Sequence, residues 1–128
     1  MNALEQARTA YGSAAAPIKT PRAAEFDALA RVSHRLRDAL RRKATDYPGF
    51  VAALADNRRL WTMFATAVAE SDNALPKDLR ARVFWLAEFT DHHSHQVLTA
   101  GADAAVLIEI NAAVLKGLGH EPRLERAS

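Results

Sequence analysis

The sequence predicts an all-α fold, a compact bundle of four to five helices, and three observations carry that prediction. The 128 residues include 28 Ala and 14 Leu against 7 Val and 3 Ile, so strong helix formers outnumber β-branched aliphatics 42 to 10. Apolar residues recur at i, i+3, i+4 and i+7 through most of the chain rather than in alternation. Pro21, Pro48 and Pro76 each stand where a helix is due to begin, the position at which a missing N–H costs nothing. The length fits one domain, residues 1–128, large enough to bury a single core.

Taken in order, Leu4, Ala7, Tyr11 and Ala14 form a weak amphipathic stripe, so residues 1–19 read as a weakly docked N-terminal helix and linker. Thr20-Pro21 then caps and opens a long helix to about Ala44, with Phe26, Leu29, Ala30, Ser33, Leu36 and Leu40 on its buried stripe. Asp46-Tyr47-Pro48 starts the next helix, whose stripe runs through Phe50, Leu54, Trp61, Phe64, Ala65 and Val68. Asn57 falls within that stripe, so it either breaks the helix as a cap or makes a buried hydrogen bond; the continuing stripe favours one helix. Residues 71–76 are a loop, and the helix after Pro76 reaches about Leu98 on a stripe of Leu79, Val83, Leu86, Thr90 and Val97. Asp103 caps a last helix from Ala104 to about Lys116, stopped by Gly117 and Gly119, with 119–128 as a flexible tail.

Composition excludes several chemistries. No cysteine is present, which removes disulfides, thiolate metal sites, iron–sulfur clusters and a cysteine nucleophile. No run approaches the roughly 18 apolar residues of a membrane span. The N-terminal MNALEQARTAYG carries Glu5 and Arg8 and lacks the apolar block of a signal peptide, which predicts a cytoplasmic protein. There is no Gly-rich phosphate loop, nucleophile elbow or paired-acid motif, and Ser33 and His34 point about 100° apart on a helix, so the chain does not read as an enzyme. Within Asp91-His92-His93-Ser94-His95, the pairs His92/His95 and Asp91/His95 share a helical face that can hold zinc. No fourth ligand suggests itself, and a solvated face near a helix C-terminus explains the same residues, so neither metal nor cofactor is expected.

The net charge of +2 conceals one basic segment: Arg31, Arg35, Arg37, Arg41, Arg42 and Lys43 with only Asp38 among them. Arg31, Arg35 and Arg42 share a face that suits a phosphate backbone, although Asp38 lies within reach of Arg35 and Arg42 and few aromatics accompany it for base stacking. The apolar arc of the helix after Pro76 is wider than one packing face, because Phe84, Trp85 and Phe89 lie off its stripe. Surplus aromatics of this kind anchor interfaces, and self-association is one use of them. Phe84, Trp85, Phe89, Leu60 and Met63 are therefore the candidate groove, with Arg58, Arg59, Arg80 and Arg82 as polar rim; Asn57, Trp61, Phe64 and Asn111 are assigned to the fold.

The motifs Asn57-Arg58-Arg59-Leu60-Trp61, Met63-Phe64, Asn73-Ala74-Leu75-Pro76, Leu79-Arg80, Leu86-Ala87-Glu88-Phe89, Leu107-Ile108-Glu109-Ile110-Asn111 and Gly117-Leu118, with Ala10-Tyr11 and Pro21-Arg22 upstream, resemble the FlaF family of flagellar biosynthesis regulators. The resemblance covers about residues 8–118. It departs at Ala112, where the family places an Arg, and at His92-His93-Ser94-His95, where the family is polar and often basic. It implies a cytosolic protein of flagellated α-proteobacteria that binds unassembled flagellin, through that subunit's terminal helical segments, and promotes its synthesis or export. It also implies work with or against FlbT, the regulator of flagellin messenger RNA. The alternative is a post-transcriptional regulator that uses the Arg31–Lys43 face on RNA or on an RNA-binding partner.

Overall fold

The computed structural model describes the backbone of residues 21–70 and 75–127 and the side chains of 24–70 and 75–117. The predicted helix over 1–19 and most of the loop 71–76 lie outside the described residues. Four helices account for nearly all of what is described: α1 (Pro21–Arg41), α2 (Tyr47–Ala69), α3 (Lys77–Ala100) and α4 (Ala105–Ala127). No strand occurs among the described residues, and the all-α bundle follows the helical periodicity.

The caps fall where the side chains can make them. Asp46 Oδ1 accepts from the backbone N–H of Gly49 at 3.0 Å, and Pro48 occupies the first turn of α2. Asp103 Oδ1 accepts from the N–H of Ala105 at 2.9 Å and opens α4. α3 ends at Gly101, whose φ of 71° is the left-handed conformation that glycine adopts without steric cost.

Two expected boundaries move. α1 stops at Arg41 rather than Ala44, because the Arg42 N–H is shared between the Asp38 and Ala39 carbonyls and the Lys43 N–H bonds Leu40, three residues back, which tightens the chain into a turn that delivers Asp46 to its cap. α4 does not stop at Gly117 or Gly119 but stays helical to Ala127. Glycine inside a helix costs only about 1 kcal/mol and ends one only where the chain adopts the left-handed turn, as at Gly101 and not at Gly117.

α2 lies between α1 and α3 and packs along both, whereas α4 packs along α1 and meets α3 only sparsely. The core has two principal apolar clusters. One gathers Leu36, Phe50, Ala53, Leu54, Val97, Ala104 and Leu107; the other gathers Leu29, Leu60, Trp61 and Ala87. A fully buried Leu or Phe contributes about 2 kcal/mol relative to an exposed one, so these positions hold the bundle. Phe26, expected on the buried stripe of α1, is 38% exposed.

Candidate functional site

The predicted groove residues do not share one surface. Leu60 is only 8% exposed and packs with Leu29, Trp61 and Ala87, so it belongs to the core and not to the groove. Its place in the heptad of α2 sits beside Trp61, and sequence spacing alone did not separate the two sides of that stripe. Met63 is 63% exposed, seven residues beyond Asp56, whose carboxylate pairs with Arg35 of α1; Met63 therefore lies on the α1 flank of α2. Phe84 is 42% exposed, seven residues before Asp91, which pairs with Arg58 at 2.7 Å; it lies on the α2 flank of α3.

Trp85 and Phe89 are brought together. Their rings stack at a centroid distance of 5.6 Å and an interplanar angle of 20°. The Phe89 ring stacks in turn on His93 at 5.4 Å and 12°. His93 Nε2 is 2.8 Å from the carbonyl oxygen of Asp103, which can only accept, so Nε2 carries the proton. Spacing of four along α3 builds this column, and the connection into α4 anchors its end. Away from that connection α4 leans on α1, so cover thins along the column: His93 and Phe89 are half-buried and Trp85 is 60% exposed. Arg82, three residues before Trp85, lies exposed on the same side.

His93 belongs to this surface although its neighbours His92 and His95 do not. The i, i+4, i+8 spacing of Trp85, Phe89 and His93 was the available signal. His92 and His95 are exposed, Asp91 is engaged by Arg58, and no group able to hold a metal ion occurs among the described residues.

Three of the four rim arginines are engaged within the bundle. Arg58 donates to Asp91 Oδ1 through Nη2 at 2.7 Å, and Arg59 donates to Asp56 at 2.8 Å. Arg80 Nε donates to the carbonyl of Val68 at 3.1 Å, placing a cation at the C-terminal end of α2 where unpaired carbonyls collect. On the basic face, Arg35 pairs with Asp56 rather than Asp38, and Arg42 pairs with Asp38 at 3.2 Å. Two of the three cations expected to contact phosphate are thus matched by acids.

Of the four residues assigned to the fold, Asn57, Trp61 and Asn111 are buried and Phe64 is half-buried against the cluster of Trp61. Trp61 meets Phe64 edge-on at 5.3 Å, and Trp61 Nε1 donates to Asn111 Oδ1 at 2.9 Å. Asn111 Nδ2 donates to Asn57 Oδ1 at 2.7 Å, so Asn57 stays within a continuous α2.

The model of the flagellar protein FlaF family matches residues 7–118. The chain belongs to the FlaF family. No curated protein and no solved structure matches it. The family match spans all the site residues placed above, from α1 to Asn111 of α4. No helix among the described residues is long and apolar enough to cross a membrane.

Proposed function

We propose that this FlaF-family protein binds unassembled flagellin through the Arg82, Trp85, Phe89 and His93 face of α3, and promotes its synthesis or export as a cytoplasmic chaperone. The observation that carries the reading is the Trp85 ring, largely exposed yet stacked on Phe89, whose ring stacks in turn on His93. An aromatic anchor ordered before binding loses little entropy when a partner arrives. The family match supplies the flagellar context. Flagellin's terminal segments are amphipathic helices, and an apolar helical face with a cation at one end suits such a partner. Arg82 supplies that cation, with FlbT as a candidate second partner.

Co-expression with the cognate flagellin followed by size exclusion tests the reading. A stable complex that Trp85→Ala abolishes, with the helical circular-dichroism signal and cooperative melting retained, is the expected outcome. Independent elution of the two wild-type proteins removes the reading.

A further inference from the structure

Each helix places a neutral polar residue in the core: Ser33 from α1, Asn57 from α2, Thr90 from α3 and Asn111 from α4. Ion pairs on the outside show that they share one level. Arg35–Asp56 sets α1 beside α2 two residues from Ser33 and one from Asn57. Arg58–Asp91 sets α2 beside α3 one residue from Asn57 and one from Thr90, and Asn111 bonds Asn57 directly. The level divides the core, with Leu36, Leu54, Val97 and Leu107 on one side and Leu29, Trp61 and Ala87 on the other.

Hydrogen-bond polarity in this layer is fixed from one end. The Trp61 indole can only donate, so Asn111 must turn its oxygen to it and its amide nitrogen to Asn57. Asn57 then accepts through Oδ1, and its Nδ2 is left as a donor facing elsewhere. That Nδ2, with Ser33 Oγ and Thr90 Oγ1, has no protein partner among the described residues, and all three atoms are buried. An orphaned buried polar group costs about 1–3 kcal/mol, so three at one level call for a shared partner.

We propose that the bundle binds an internal water molecule at this layer, accepting from Asn57 Nδ2 and donating to Ser33 Oγ and Thr90 Oγ1. Three hydrogen bonds are what a buried water typically makes. The ligand is neutral because the four side chains of the layer are neutral, whereas the charged groups next to it along the helices, Arg35, Asp56, Arg58 and Asp91, are matched to one another at the surface. The site is independent of the flagellin reading.

Water–protein cross-relaxation on the full-length protein, detected by NMR at the Asn57 side-chain amide, reads occupancy directly. Thermal melting of Ser33→Ala and Thr90→Val reads its consequence. A long-lived water at the Asn57 amide, lost in Thr90→Val, is expected, with each variant melting about 4 °C lower because the water loses a partner. The absence of a long-lived water in the wild type overturns the proposal. So does a rise in melting temperature in either variant, since removal of a truly unpartnered hydroxyl relieves a penalty. Should Thr90→Val not fold, the wild-type spectrum and Ser33→Ala decide.

Discussion

Asn111 donates its side-chain amide to Asn57 at 2.7 Å across the core, while its oxygen accepts from the Trp61 indole at 2.9 Å. The backbone of α4 runs chiefly along α1, and this chain of side chains joins the apolar cluster of Leu107 with Phe50 and Leu54 in tying α4 to α2. Asn111→Ala strands the Trp61 N–H and the Asn57 oxygen together, and about 3 kcal/mol of stability should be lost on denaturant unfolding. In a Trp61→Phe background the same substitution strands one group fewer. Its cost should then fall by about 1 kcal/mol, and additive costs would show that the three residues do not act as a unit.

The fold was legible because helical periodicity and caps agreed: Asp46, Pro48, Gly101 and Asp103 all stand at helix ends. Ser33, Asn57 and Thr90 each appeared on a buried stripe, but that they meet at one level depends on how the helices align, which no single helix encodes. The surface was legible in part. Trp85 and Phe89 follow from width of the apolar arc, whereas the separation of Met63 and Phe84 from them depends on which neighbour each flank meets. The ends of α1 and α4 are less legible: the turn that closes α1 rests on backbone bonds of Arg42 and Lys43 that no side chain signals, and Gly117 stops a helix only where the chain turns left-handed, which it does not do there.

Two glycines should respond with opposite sign to the same change. Gly101 sits at φ 71° with open space around it, so Gly101→Ala meets no clash but puts a Cβ in the left-handed region, at a cost of about 1 kcal/mol. Gly117 lies within α4 and also has open space, so Gly117→Ala should stabilise by about 0.5–1 kcal/mol through helix propensity. Thermal melting of both variants checks the pair. A loss at Gly117 would argue against a helix that continues through it.

Asp56 receives both Arg35 and Arg59, one on each oxygen, and so links α1 to α2 at the surface. Reversing Arg31, Arg35 and Arg42 to Glu sets like charges against Asp56 and Asp38. The expected outcome is a melting temperature lowered at low salt and partly restored at high salt, since these exposed groups are screened. Flagellin binding should survive the triple change. If instead binding to flagellin messenger RNA is measured in the wild type and lost in the variant, the basic face acts on RNA.

The two tryptophans should separate by environment. Trp61 is buried with its indole bonded, whereas Trp85 is largely exposed on its column. Trp85→Phe should leave blue-shifted emission that acrylamide quenches weakly, and Trp61→Phe should leave readily quenched emission. Flagellin should protect the Trp85 signal and leave that of Trp61 unchanged. Because Trp85 is mostly in solvent, Trp85→Ala should change folding stability by less than about 1 kcal/mol. Phe89→Ala, which removes a half-buried ring stacked on both sides, should cost about 1–2 kcal/mol and free His93 to tilt. A Trp85→Ala variant that unfolds would assign the ring to the core and take the anchor away from the proposed surface.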